Sequence, residues 1–197
     1  LVKAISLVRN ITEVRYFDID SLAMDKFKKN LSNIKSKLVR CKDAEEAVRG
    51  ADIITTCTAC KAYVDVLKNS WIKSGVHINA LGGDTIGKTE LEFSILSRSK
   101  IMVEYFDQCI IEGEIQRYEE KEGKKKVYAE LYELINETKS GRENDKEITL
   151  YDSVGIGLED YSALIFTYEL ANKYNLGEEL NLTPILQDPK NLISMLQ

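Results

Sequence analysis

The sequence predicts an α/β layered fold, a parallel sheet with helices on its faces, incomplete at its N-terminal side. Three observations predict it. Short β-branched or apolar runs alternate with helical patterns along the chain. Glycines and polar residues gather just after those runs, where open parallel sheets bind ligands. The 197 residues are 44% hydrophobic and 30% charged, the balance of a soluble globular protein.

The elements follow in order. LVKAISLVRN, with apolar residues at 1, 2, 4, 5, 7 and 8, reads as the buried end of a helix. EVRYFDI (13–19) is a strand whose end carries Asp18. SLAMDKFKKNLSNI (21–34) reads as a helix capped by Ser21, with Leu22, Met24, Phe27 and Leu31 on one face. SKLVRC is a short strand, and DAEEAVRG a short helix with an Asp43 cap, acidic first turn and Gly50 at its end. The β-branched ADIITTCT (51–58) has the composition of a central buried strand. VHINAL (76–81) and KIMVEYF (100–106) are further strands, with TELEFSILSRS (89–99) a helix between them. KEGKKK (121–126) reads as a solvated loop, and VYAELYELINETKSGR as a helix that ends at Gly141. EITLYDSV (147–154) is the last strand, before a long amphipathic helix, GIGLEDYSALIFTYELANKYN (155–175). The tail from Gly177 holds Pro184 and Pro189 and is expected to pack over another domain or a partner chain. Strand–helix alternation of this kind implies parallel pairing through right-handed crossovers. Two units are expected, 1–154 and 155–197.

The net charge of −5 is spread along the chain, which gives no sign of a nucleic-acid or anionic-membrane partner. No apolar run approaches a membrane span, and the first ten residues do not read as a signal peptide. The chain begins at Leu1 in the middle of a helical pattern, so it is expected to be part of something longer. Cys41, Cys57, Cys60 and Cys109 do not make a disulfide framework, which points to a reducing cytoplasm. Cys57 and Cys60 form a C-x-x-C. With a single histidine and no second such motif a zinc site is not expected, and a buried pair of small thiols is preferred to redox chemistry.

Several residues that could meet a ligand fall at the carboxyl ends of the expected strands: Asp18, Thr55, Thr56, Thr58, the Gly82-Gly83-Asp84 run, Ser153 and Val154. An acid in the place of Asp18 can bind the ribose hydroxyls of a dinucleotide and would repel a 2′-phosphate, favouring NAD over NADP. The alternative is a turn cap. The G-x-G-x-x-G phosphate loop that should precede it is absent from these residues. Asp84 could relay protons to a substrate amine, or cap the TELEFSIL helix. Lys88 could lie on the surface or reach a cofactor.

HINALGGDTIGKTEL (77–91), VEYFDQCIIEGEIQ (103–116) and ITLYDSVGIGLEDYSAL (148–164) resemble the ornithine cyclodeaminase/mu-crystallin family, on its cyclodeaminase branch. The resemblance runs from EVRYFDID to about Tyr174. It implies a homodimer in which a Rossmann-like NAD-binding domain, here residues 1–154, joins a substrate-binding and dimerising domain to which 155–197 would belong. It implies conversion of L-ornithine to L-proline and ammonia, by hydride transfer to NAD and back through an imine. It assigns proton transfer to Asp84, NAD contacts to Asp18, Thr58, Leu81, Gly82, Gly83, Lys88 and Ser153, and substrate contacts to Asp84 and Val154. Thr85-Ile86 stands where the resemblance leads one to expect a Cys-Pro type of pair. An amino-acid dehydrogenase or imine reductase of the same superfamily, or a non-catalytic protein, are the alternatives.

Overall fold

Among the described residues every strand pairing is parallel, as strand–helix alternation requires. The computed structural model describes residues 1–60, 62–180, 182, 190 and 193. The chain divides into two compact units, Leu1–Ile156 and Gly157–Gln197.

The first unit opens with helix α1 (Val2–Val8), which buries none of its residues, contrary to the expectation from its apolar density. Strand β1 (Glu13–Tyr16) leads into α2 (Ser21–Asn30). Its cap is Asp20, not Ser21: the Asp20 carboxylate accepts the Leu22 N–H, while Ser21 Oγ accepts from Arg40. Strand β2 (Lys37–Arg40) lies beside β1, with Glu13 and Lys37 directly opposite and ion-paired at 3.0 Å. Helix α3 (Ala44–Val48) starts at its Asp43 cap. The Arg15 guanidinium donates to the carbonyls of Glu46 and Arg49 at 3.1 and 2.8 Å, tying β1 to the end of α3.

Strands β3 (Ile53–Thr56), β4 (Tyr63–Leu67), β5 (His77–Ala80) and β6 (Thr89–Leu91) come next, then α4 (Ser94–Arg98) and β7 (Ser99–Val103). Helices α5 (Phe106–Glu112) and α6 (Glu120–Lys126) flank a 3-10 turn at Glu114–Arg117. Strand β8 (Val127–Glu130), α7 (Leu131–Ile135) and β9 (Ile148–Asp152) complete the unit. Five strands form one sheet in the order β3–β5–β9–β7–β8. The β1–β2 pair is not joined to it by any ladder among the described residues, which is the interruption expected on the N-terminal side. So β3 is at an edge of its sheet rather than central, with alternate residues buried. Val76, Ile78, Ile101, Val103 and Leu150 are almost completely buried. Each such side chain stabilises by roughly 1.5–3 kcal/mol, so this line is the rigid floor from which the loops project.

Three segments differ from expectation, each for a physical reason. KEGKKK is not a loop but most of α6. Glutamates occupy its first turn and three lysines its last, matching the helix dipole, and Glu120 pairs with Lys124 at 2.6 Å. VYAE is β8, not helix, because it completes the ladder beside β7; only α7 is helical, ending at Ile135 with Asn136 as its C-cap, so Gly141 caps no helix. TEL is β6, paired to β4, and the helix expected from residue 89 is confined to α4.

In the second unit α8 (Gly157–Tyr174) carries Leu158, Tyr161, Leu164, Phe166 and Tyr168 exposed. Pro184 and Pro189, and with them the expectation for the tail, lie outside the described residues.

Candidate active site

The glycines after β5 have a different reason to be there than the one their sequence suggests. Neither Gly82 nor Gly83 has a positive φ, and both are buried. A Cβ on Gly82 would fall inside the Glu90 carboxylate, and one on Gly83 would sit 2.9 Å from Glu114 Oε1. They make room for two buried acids. Of the three glycines in this loop, Gly87 alone, at φ +80°, uses the left-handed region, where it closes the turn in which the Lys88 N–H donates to the Thr85 carbonyl at 3.0 Å.

Asp84 lies on this loop and is about half exposed (48%), whereas Lys88 is nearly buried (8%). Lys88 Nζ reaches Asp84 Oδ1 at 2.8 Å. Lys88 is therefore not a surface lysine, and Asp84 caps no helix, since α4 begins ten residues later. Gln116 holds the loop from below. Its Oε1 accepts the Gly87 N–H at 2.7 Å, and its Nε2, with two hydrogens to share, lies within hydrogen-bond distance of the carbonyls of Lys88 (2.9 Å), Glu112 (2.9 Å) and Gly113 (2.8 Å).

Behind the loop stand four buried acids: Glu90, Glu104, Glu114 and Asp152. Each accepts hydrogen bonds, most of them from backbone N–H groups. Glu90 Oε1 accepts both the N–H of Thr58, at 2.7 Å, and its hydroxyl. Glu114 accepts from the N–H of Glu90 at 2.7 Å and of Leu91 at 3.1 Å. Asp152 accepts from the N–H of Glu114 at 3.0 Å and of Ile115 at 3.1 Å. Glu104 accepts from Ser153 Oγ (3.1 Å), Val154 N–H (3.2 Å) and Gly155 N–H (2.7 Å). Burial pushes Glu114 up to about 8 and Asp152 up to about 7, against the pull of their backbone donors. The sequence reading missed Gln116 and all four acids. Their one signal was an acid set inside or directly after an apolar run, as in MVE, TEL and LYD.

Asp18 follows β1, Thr58 follows β3, Leu81–Asp84 follow β5, and Ser153 and Val154 follow β9. All of these positions therefore lie at the carboxyl ends of parallel strands. Asp18 Oδ1 accepts the Asp20 N–H at 2.8 Å, so it serves the turn, and its second oxygen makes no hydrogen bond among the described residues. A half-buried carboxylate with an available oxygen, flanked by Ile19 and Asp20, fits a ribose diol. His77 opens β5, at the amino end of that strand. It bonds Thr149 Oγ1 (2.8 Å) and Asn79 Oδ1 (3.2 Å), and burial holds its pKa below the usual value. The C-x-x-C is not a buried pair: Cys57 is exposed and Cys60 intermediate, while Cys41 and Cys109 are the buried thiols. Desolvation, then the Glu90 charge, pushes the Cys57 thiol up, the wrong direction for a redox nucleophile. No cluster suited to a metal occurs among the described residues.

A parallel α/β sheet whose polar loops gather at the strand carboxyl ends defines a Rossmann-like domain. The chain belongs to the ornithine cyclodeaminase/mu-crystallin family, whose sequence model matches residues 1–175. It is 43% identical over 193 residues to the ornithine cyclodeaminase of Brucella abortus, covering 98% of this chain and 53% of that protein. Among solved structures, it is similar to an archaeal alanine dehydrogenase dimer with bound NAD, with a TM-score of 0.83 at 34% identity over 92% of this chain and 56% of that one. The Thermococcus litoralis Δ1-pyrroline-2-carboxylate reductase, in complex with NADH and L-proline, aligns with a TM-score of 0.84 at 30% identity, over 91% and 56% of the two chains. The chain thus spans about half the length of the relatives it matches.

Proposed function

We propose that the whole protein to which this chain belongs is an NAD-dependent ornithine cyclodeaminase, an ammonia-lyase of proline biosynthesis. The observation that carries this reading is the Asp84–Lys88 pair, an exposed carboxylate anchored by a buried lysine on the loop after β5. The 43% identity to a cyclodeaminase supports the choice of reaction. Asp18 binds the adenosine ribose, and Thr58, Leu81, Gly82, Gly83, Lys88 and Ser153 border the rest of the dinucleotide. NAD supplies the hydride acceptor for the first half of the reaction and the donor for the second. Asp84 takes the proton that the ornithine α-amine sheds as it becomes an imine. It returns that proton to the α-nitrogen as the δ-amine closes the ring and ammonia leaves. Lys88 keeps the carboxylate on station throughout, and Val154 borders the substrate. The exposed apolar side chains of α8 support assigning the second unit to a domain that dimerises. A cytoplasmic homodimer follows from the same reading.

The likeness to an alanine dehydrogenase and a pyrroline-carboxylate reductase favours one second reading, net oxidation or reduction of an amino acid. The test is to give the whole protein L-ornithine and substoichiometric NAD. Proline and ammonia in equal amounts, well beyond the NAD added, are expected. NADH accumulating in step with product would sink the cyclodeaminase reading.

A further inference from the structure

We infer that Glu90 is a positioning residue for the cofactor, setting Thr58 as a hydrogen-bond acceptor toward it. The inference rests on the assignment of Thr58 to the cofactor face. Thr58 gives both of its hydrogens, the backbone N–H and the hydroxyl O–H, to the single oxygen Glu90 Oε1. A threonine hydroxyl has one hydrogen and two lone pairs. With that hydrogen committed, the hydroxyl offers a ligand only lone pairs. The ligand group at Thr58 must therefore be a donor, such as a ribose hydroxyl or a carboxamide NH2. A phosphate oxygen would face the lone pairs and be repelled.

Glu90 can impose this polarity because it cannot move. It is fully buried. Its own N–H is held by Glu114, and the Gly82 backbone packs against its carboxylate where no other residue would fit. Among the described residues Glu90 Oε2 has no hydrogen-bond partner, so the hydrogen bonds this carboxylate accepts there are those from Thr58. The same carboxylate thus touches two of the segments assigned to the cofactor, the one after β3 and the turn after β5.

The test measures the NAD dissociation constant of the whole protein in a mutant cycle. Glu90→Met removes the acceptor and is expected to raise Kd about tenfold, the effect of one hydrogen bond. Glu90→Gln keeps an oxygen facing Thr58 and is expected to stay within about threefold of the wild type. Thr58→Val is expected to weaken binding about tenfold, and the Thr58→Val/Glu90→Met double variant no further than either single. Should Glu90→Met not fold, Glu90→Leu takes its place, filling much of the same space without an acceptor. The same loss is expected there. Additive effects in the cycle, or Gln as harmful as Met, or wild-type affinity in the Met or Leu variant with Thr58→Val weakened, overturn the inference. Weakening by Thr58→Val with none by Glu90→Met refutes the role of Glu90 alone. Unchanged affinity in Thr58→Val refutes the cofactor assignment of Thr58, and the inference with it.

Discussion

Asp84 meets solvent while the ammonium that pairs with it comes from a nearly buried side chain. A carboxylate so arranged stays open to a substrate yet is held in place, because the Lys88 stem is packed and its end has little freedom. Removing the charge and keeping the shape separates the two properties. Asp84→Asn in the whole protein is expected to lower turnover by about 10²–10⁴-fold, the usual range for a proton-transfer group, with NAD affinity little changed. Steady-state kinetics with a cofactor titration check this, and near-normal turnover would remove Asp84 from the chemistry. The place of Asp84 at the carboxyl end of a strand was legible in the sequence, because an apolar run that stops at two glycines marks where the strand ends. Glu90, Glu114 and Asp152 were not. An acid beside a turn normally lies in water, and nothing local shows that backbone N–H groups from distant segments will enclose it.

At the scale of elements, the turn after β5 is shaped by what lies behind it. Gly82→Ala would drive a methyl into the Glu90 carboxylate, which Thr58 and burial hold fast. Such overpacking is expected to cost about 1–3 kcal/mol in unfolding free energy. Gly141→Ala, where nothing lies within 4 Å, should stay within about 0.5 kcal/mol and is the control. Denaturant unfolding of both variants checks the pair, and equal small effects would mean that Glu90 yields readily. The same dependence on neighbours explains which elements could be read in advance. The β-branched β3 and the apolar β5, β7 and β9 were legible because burial and local propensity agree there. Strands β4, β6 and β8 were not. Thr89–Leu91 lies in an apolar stretch of helical spacing, and only β4 and the Glu114 carboxylate select strand there. Val127–Glu130 likewise opens a helical pattern that the ladder to β7 overrides.

For the whole molecule, the buried acids link stability to pH. Glu114 stands at about 8 and Asp152 at about 7 in the folded chain, burial being the main cause in each. Unfolded, both return to about 4. Between those values the native state binds more protons than the unfolded state, so stability falls as pH rises from about 4 to about 8 and then levels. His77 acts in the opposite sense. Its folded pKa is lowered, so its stabilisation is complete above its ordinary value of about 6.5 and is lost only as pH falls below that. It is the one histidine of the chain, so the window from about 6.5 to 8 belongs mainly to the two acids. There the thermal midpoint of this chain is expected to drop with rising pH, by on the order of several degrees. Glu114→Gln removes one of the two titrations. It leaves an amide hydrogen facing a backbone N–H, so the variant is expected to be less stable at pH 6.5. It should nevertheless lose less of its remaining stability by pH 8, since only Asp152 still titrates there. A wild-type midpoint that does not drop across this window would show that the backbone donors outweigh burial and that both acids are already ionised, and a variant with the wild-type slope would show it for Glu114.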